Sequence, residues 1–141
     1  MALISTKGMY GLSAMYELFL TNQDKPVQIR DIATKANIPQ NYLEQILVIL
    51  KKAGFVKSIR GINGGYMLAK DPDSISVKDI FLALEGNVDI IDSLTSYEAL
   101  NLFYKEGKKD LYGILDISLS NLHKKFHKSS SKQINYTTFG L

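Results

Sequence analysis

The sequence predicts a mainly α-helical protein with one small β-hairpin, and three observations lead to this fold class. In the first half of the 141 residues, apolar residues recur at helical spacing in three separate segments. The third segment runs into a glycine-rich stretch flanked by two short runs of strand-like composition. The second half carries a long series of apolar residues at steps of three, four or seven. We therefore expect a three-helix unit with a hairpin, followed by further helices.

The three N-terminal helices are predicted from periodicity and from residues suited to helix ends. The first covers residues 9–20 with Ser5 as its N-cap, and the second covers residues 27–36. The third begins at Pro39, where a missing N–H costs nothing, and ends before Gly54, which suits a left-handed backbone. The residues expected on the buried faces are Leu12, Met15, Leu18 and Phe19, then Ile29, Ile32, Ala33 and Ala36, then Leu43, Ile46, Leu47, Leu50 and Ala53.

A hairpin is predicted directly after the third helix. Residues 55–60 and 66–68 have the composition of two strands, joined by the loop at residues 61–65. Asn63 and Gly64 form the strongest turn signal, because both tolerate a positive φ. Glycines without side chains let a backbone approach a ligand closely, and Arg60 beside them can reach a phosphate or a narrow minor groove.

The short connection between the second and third helices indicates a helix-turn-helix. Only Asn37 and Ile38 separate the two helical patterns, so the third helix would be a DNA-reading helix and the hairpin its wing. The same order of elements also occurs in small α+β domains that bind no DNA.

Charge distribution favours nucleic-acid binding. Residues 1–70 hold 9 Lys and Arg against 4 Asp and Glu, residues 71–122 hold 4 against 10, and residues 123–141 hold 4 against none. A basic reading domain would bind DNA phosphates with a steep salt dependence, although such an excess is also common on ordinary solvated surfaces. The cations expected to contribute are Lys7, Lys35, Lys51, Lys52, Lys57 and Arg60.

Five motifs in order resemble the Rrf2 family of bacterial winged-helix regulators. They read STKGMYGL at 5–12, YLEQI at 42–46, GFVKSIRG at 54–61, GGY at 64–66 and LEG at 84–86. Pro39 departs from the serine or threonine that often starts the reading helix, which would alter a phosphate contact more than the fold. The resemblance implies a homodimeric transcription factor, usually a repressor, that binds an imperfect palindrome with one reading helix and one wing per half-site.

Carried over by position, the resemblance implies that the reading helix meets the major groove and that Arg60 reaches the minor groove. The side-chain chemistry agrees, since Asn and Gln amides pair with adenine and Glu44 can accept from cytosine N4. The less favoured alternative for Glu44 is a solvated residue, and Tyr42 could equally be core packing. The predicted DNA-binding set is Ser5, Lys7, Tyr10, Gln40, Asn41, Tyr42, Glu44, Gln45, Lys51, Lys57, Arg60, Gly61, Asn63, Gly64 and Gly65.

Downstream of the wing we expect a capped helix and then a dimerisation region. Ser76 to Asp79 looks like a capping box that opens a helix ending at Gly86, and residues 87–95 are less regular. The apolar stripe that follows has a break near Gly107 or near residues 116–118. It needs a partner surface, and the simplest partner is the same helix of a second subunit. The predicted dimerisation residues are Leu100, Tyr104, Leu111, Leu115, Leu119 and Leu122. The predicted parts are a DNA-binding domain at 1–86, a linker and dimerisation helices at 87–128 and a flexible tail at 129–141.

The sequence contains no cysteine, and this limits how the protein could be regulated. Several members of the family carry an iron–sulfur cluster on three cysteines after the LEG motif, but such clusters need thiolate ligands, so we expect none here and predict no cofactor. A cluster-free branch controls cysteine and sulfur metabolism together with a cysteine-synthesis enzyme, and the chain resembles that branch in lacking cysteines. The effector could be a small molecule, a partner protein or abundance alone.

His123 and His127, four residues apart, could start a metal site, but the lysines around them favour a solvated basic helix. A response to pH stays open, since their charge changes near neutrality.

No other class of function has visible support. Phosphate-binding loops, dinucleotide fingerprints and nucleophile motifs are missing, so an enzyme is not expected. Residues 9–20 are interrupted by Glu17 and do not resemble a signal peptide, and no apolar run approaches membrane-spanning length, so we expect a cytoplasmic protein without a membrane partner. The competing hypothesis is an interaction protein that uses the winged fold and the C-terminal helix to bind a protein, with DNA binding lost.

Overall fold

The computed structural model describes residues 2–21 and 24–130, with the side chains of the last three left out, and it confirms the predicted fold class. A two-stranded antiparallel hairpin follows three helices, and three more helices come after it. The elements are α1 (Thr6–Leu20), α2 (Ile29–Ala36), α3 (Gln40–Lys52), β1 (Val56–Ile59), β2 (Gly65–Leu68), a 3-10 turn (Pro72–Ser74), α4 (Val77–Glu85), α5 (Glu98–Leu115) and α6 (Leu119–Ser130).

The helix ends follow the predicted signals with small shifts. Ser5 caps α1 by accepting the Gly8 N–H at 3.4 Å, and Gly54 after α3 has a φ of 83°. Asn37 ends α2 in the left-handed conformation, with φ 55° and ψ 53°. Ala53 was predicted to be buried, and this was wrong, because α3 ends at Lys52 and Ala53 is the exposed residue that caps it.

Helix α2 begins two residues later than predicted because Val27 belongs to the hairpin. Its N–H donates to the Tyr66 carbonyl and its carbonyl accepts from the Tyr66 N–H, both at 2.8 Å. This isolated bridge adds a third, one-residue strand beside β2. The wing is therefore attached to the start of α2 as well as to the end of α3.

The turn of the hairpin has a different backbone from the one predicted. Its positive φ values lie at Gly61 (115°) and Gly65 (151°), whereas Asn63 and Gly64 have none. The Gly64 N–H donates to the Gly61 carbonyl at 3.0 Å and closes a turn with Ile62 and Asn63 at its centre. A five-residue loop thus places its left-handed positions at its ends rather than at the Asn-Gly pair.

The main core lies between the first four helices and the base of the hairpin. Helices α1 and α4 approach closely because Gly8 and Gly11 face Glu85 and Leu84, which would collide with a Cβ at either position. The fully buried residues at the centre of this core are Met15, Ile32, Leu43, Ile46, Leu47, Leu50, Ile75 and Ile80.

The C-terminal helices correct part of the predicted dimerisation stripe. Leu119 is 0% exposed and belongs to the main core of its own chain, so its prediction as a dimerisation residue was wrong. Leu111, Leu115 and Leu122 are half-buried against a second cluster built on Val77, Phe81 and Val88. Periodicity identified the apolar face correctly, but it could not tell which surface would cover that face.

The break in the stripe occurs at residues 116–118, the second of the two predicted places. Helix α5 continues through Gly107, where a Cβ would lie 3.1 Å from the Ile90 side chain. After the break, the Val77 N–H donates to the Ile117 carbonyl at 2.8 Å and the Leu119 N–H donates to the Ile75 carbonyl at 2.9 Å. These bonds fold α6 back onto the winged domain.

Helix α6 also extends further than expected. It includes Ser129 and Ser130, which had been assigned to the flexible tail, because serine is only mildly unfavourable inside a helix. The rest of the predicted tail, residues 131–141, lies outside the described residues.

Candidate nucleic-acid interface

The outer face of α3 is polar at its N-terminal half. Burial of Leu43, Ile46, Leu47 and Leu50 fixes the rotation of the helix about its axis. The side chains left exposed are Gln40, Asn41, Glu44 and Gln45, as the sequence predicted, with Lys51 and Lys52 in the last turn. Amides and a carboxylate on a fixed helix can discriminate base edges in a major groove.

Tyr42 has a structural role that the sequence left open. It is half-buried, packs against the main core and meets the ring of Tyr10 edge-on, with 5.5 Å between centroids and an interplanar angle of 82°. Tyr10 is half-buried as well. The pair joins α3 to α1, so both rings support the reading helix from its flank.

Helix α3 and the wing are tied together by a side-chain contact. The Lys51 Nζ donates to the Ser58 Oγ at 2.7 Å, two residues before Arg60. No local sequence pattern indicates this contact, since the two residues are separated by the end of the helix and a turn. Lys51 therefore contacts the wing in addition to carrying charge.

Uncompensated cations flank this polar face. Within residues 2–21 and 24–130, the ion pairs involve Lys35 with Glu17 (3.9 Å), Lys78 with Asp116 (3.7 Å) and Lys108 with Asp89 (2.5 Å). None of these cations belongs to α3 or the wing. Lys52, Lys57 and Arg60 are exposed there without a carboxylate partner, so their charge is available to an anionic ligand.

The wing glycines have three different roles. Gly64 is buried, and a Cβ there would collide with the Ile59 carbonyl, so the prediction that it contacts DNA is not supported by its position. Gly65 is needed for the close approach of β2 to Val27. Gly61 has open space around it, and it lies with Arg60 and Asn63 at the exposed tip.

The start of α1 is held by α4. The Glu85 Oε1 accepts from the Ser5 N–H at 2.9 Å and from the Ser5 hydroxyl at 2.5 Å. The LEG motif marked Glu85, but only the fold assigns it this role. Ser5 and Thr6 are exposed and Lys7 is half-buried, so the fixed end of α1 presents polar groups to solvent.

Helix α6 lies against α1 through an aromatic cluster that was not predicted from the sequence. The Tyr16 hydroxyl and the His123 Nδ1 are 2.6 Å apart, and burial raises the pKa of the Tyr16 phenol. The His123 ring also contacts Phe19 and His127, with centroids 5.2 and 4.3 Å away. The prediction of a merely solvated His123 was wrong. In the described part of the chain, no three His, Asp or Glu side chains are grouped to hold a metal ion.

Helix α5 leaves an apolar face exposed. Leu100, Phe103 and Ile114 are 44%, 70% and 75% exposed, and their spacing places them on one side of the helix. Tyr104, also predicted at the dimer interface, is half-buried. Exposed apolar groups of this size commonly mark an interface with another protein chain.

Among the helices that the structure describes, none combines the length and the apolar character required to cross a bilayer.

Comparison with known proteins agrees with this architecture. Residues 4–128 match the model of the Rrf2 family, described as an iron-dependent transcriptional regulator. The chain belongs to the Rrf2 family. It is 44% identical over 95 residues to the HTH-type transcriptional regulator CymR of Bacillus subtilis, a match that covers 67% of this chain and 69% of CymR. The HTH-type regulator IscR of Yersinia enterocolitica is 41% identical over 86 residues, which is 61% of this chain and 52% of IscR.

Solved structures of Rrf2 regulators have the same fold. The structure of CymR, the global cysteine regulator of B. subtilis, superposes with a TM-score of 0.81 at 37% identity, covering 89% of this chain and 98% of CymR. IscR of T. potens gives a TM-score of 0.76 at 34% identity and covers 96% of this chain and 95% of IscR. These relatives are transcriptional regulators rather than enzymes.

The residues present do not fit the iron–sulfur cluster of this family. Its ligands are thiolates, and the sequence contains no cysteine. The segment after the LEG motif instead carries Asp89, whose carboxylate is bound by Asn87 and Lys108. A cluster of that type therefore has no ligands in this sequence.

Proposed function

We propose that this protein is a homodimeric, sequence-specific DNA-binding transcriptional regulator that works without an iron–sulfur cluster and acts in the cytoplasm. The single observation that carries the proposal is the polar outer face of α3, held rigidly by its buried face and flanked by exposed cations without carboxylate partners. Residues 1–86 act as the DNA-binding domain in this proposal. Residues 87–128 supply the linker and the dimerisation helices.

The groups on α3 and the wing divide into two kinds of contact. Asn41, Glu44 and Gln45 read base edges, while Lys51, Lys52 and Lys57 lie along the phosphates. Arg60 at the exposed tip enters the minor groove. The remaining contacts with the DNA backbone come from Gln40, Asn63 and the start of α1, with Ser5, Lys7 and Tyr10.

A second copy of the chain covers the exposed face of α5 in this proposal. The exposed Leu100, Phe103 and Ile114 provide the apolar contact, and a two-fold axis matches a palindromic operator. The protein acts as a repressor in this proposal, and the similarity to CymR suggests genes of cysteine and sulfur metabolism as its targets. The alternative that DNA binding has been lost is not favoured, since the relatives are HTH-type regulators.

The test is fluorescence anisotropy with labelled DNA from upstream of the protein's own gene, measured across a salt series with excess nonspecific competitor. We expect saturable binding of two chains per palindrome that survives the competitor. Arg60→Ala should weaken binding about tenfold and make the logarithmic salt slope shallower by about 1. Glu44→Ala should relax the preference at one base pair, which corresponds to about 1–3 kcal/mol of discrimination.

Lys109→Ala is the matched control, because Lys109 is an exposed lysine of α5 that lies outside the proposed DNA interface. It should leave the affinity for the operator unchanged. Sequence-selective binding by the Glu44→Ala, Arg60→Ala double variant would contradict the residue assignment. Loss of all binding in the presence of competitor would contradict the proposal of a specific regulator.

A further inference from the structure

A groove of about 350 Å³ lies between the segment 87–97 and helix α5. Its walls are almost entirely apolar, and Asn101 is the one uncharged polar residue besides Tyr104. Volume and composition are those of a small-molecule site with few polar groups. The apolar lining residues are Ile90, Ile91, Leu94 and Leu102.

The segment that forms one wall is fastened to α5 at both ends. At one end, the Thr95 N–H and hydroxyl donate to the Asn101 Oδ1 at 2.8 and 3.0 Å, and the Asn101 Nδ2 donates to the Thr95 carbonyl at 3.0 Å. At the other end, Lys108 binds Asp89, and the Tyr112 hydroxyl donates to the Asn87 Oδ1 at 3.1 Å. The groove is therefore preformed and needs no ligand to hold it open.

Of the two lysines at the rim of the groove, one is paired with a carboxylate and the other is not. The hydrogen bond to Asp89 raises the pKa of Lys108, so that lysine is both charged and compensated. Lys105 lines the groove and has no ion-pair partner among the described residues. Glu98 lines it as well, but two helical turns, about 10 Å, separate it from Lys105 along the helix. One end of an apolar groove thus has an uncompensated positive charge.

The groove borders the proposed dimer face on helix α5. With about 100° of rotation per residue, Glu98, Leu102 and Lys105 lie roughly 150° around α5 from the exposed side chains of Leu100, Phe103 and Ile114. Tyr104, which also lines the groove and belongs to the predicted dimerisation residues, lies only about 40° around the helix from Leu100.

We propose that this groove binds a small amphiphilic carboxylate, with its apolar chain against Ile90, Leu94 and Leu102 and its carboxylate at Lys105. The ligand would report to the DNA-binding domain through the segment 87–97, which enters the second apolar cluster at Val88 directly after α4. Helix α4 in turn holds the start of α1 through Glu85 and Ser5. This regulatory part rests on the proposed function, whereas binding to the groove does not.

The test uses the full chain with methyl-labelled Ile and Leu, titrated with octanoate and, separately, with uncharged 1-octanol, without DNA. We expect saturable shifts of the methyl groups of Ile90, Ile91, Leu94 and Leu102, with one octanoate per chain. Lys105→Gln should weaken octanoate binding about threefold, the effect of losing an exposed ion pair, and leave octanol binding unchanged. Lys124→Gln, which removes an exposed lysine from α6, should change neither.

Three results would overturn the proposal. Octanoate could fail to shift these methyl groups, or Lys105→Gln could bind octanoate as tightly as the unaltered chain. The same methyl groups could also shift with protein concentration alone, which would identify a second copy as the occupant. The operator affinity is then measured with and without octanoate. A protein that binds octanoate but no DNA would refute the proposed function and leave the binding site standing.

Discussion

Gly65 offers a direct test of how the wing is attached to the body of the protein. Its φ of 151° is a conformation that other residues rarely adopt, and a Cβ there would lie 2.6 Å from the Val27 carbonyl carbon. Gly65→Ala would force β2 away from Val27, where two backbone hydrogen bonds of 2.8 Å join Val27 to Tyr66. Backbone strain of about 1 kcal/mol and two lost hydrogen bonds of about 1 kcal/mol each give a destabilisation of about 3 kcal/mol.

The assay is urea unfolding followed by circular dichroism, together with thermal melting, where this loss corresponds to about 10 °C. Substitutions at two other glycines separate the backbone strain from the loss of the contact with Val27. Gly61→Ala adds strain at a φ of 115° with nothing within 4 Å, so it should destabilise by only about 1 kcal/mol. Gly113→Ala, in open space inside α5, should stabilise by about 0.5–1 kcal/mol. Equal effects of the Gly65 and Gly61 substitutions would refute the close approach to Val27.

Two further predictions concern the core and the helix-turn-helix. Leu119→Ala should lower the unfolding free energy by about 2–5 kcal/mol in urea titrations, since Leu119 is fully buried, whereas Leu20→Ala at a 51% exposed position outside both proposed interfaces should change it by less than about 1 kcal/mol; similar effects of the two would place Leu119 outside the core. Asn37→Gly should raise the melting temperature by a few degrees, because Asn37 has a φ of 55° that glycine adopts without strain. Asn37→Ala should lower it, and the opposite order would mean that the turn is not left-handed.

Much of the candidate interface followed from local sequence. The apolar period of α3 fixed which residues face the core, so Gln40, Asn41, Glu44 and Gln45 had to be exposed whatever the helix packs against. The caps at Ser5 and Ser76 were equally local, since each involves a backbone group only three residues away.

The wing shows where local patterns stop being sufficient. An Asn-Gly pair indicates a turn, yet the positive φ values fall at Gly61 and Gly65, because the loop geometry depends on how both strands are anchored. The anchor is Val27, which lies far from the hairpin in sequence. The contact of Lys51 with Ser58 depends in the same way on the packing of two elements.

The sequence by itself determined the order of helices and hairpin, the polar face of the reading helix and the absence of thiolate ligands. Each of these depends on residue identity and on the period of one element. Only the tertiary structure decided that Leu119 is buried in its own core, that His123 meets Tyr16 and that Glu85 holds Ser5. The sequence shows which residues form an apolar face and which side chains are polar. Which surface covers that face, and which polar groups meet, is decided by packing between segments distant along the chain.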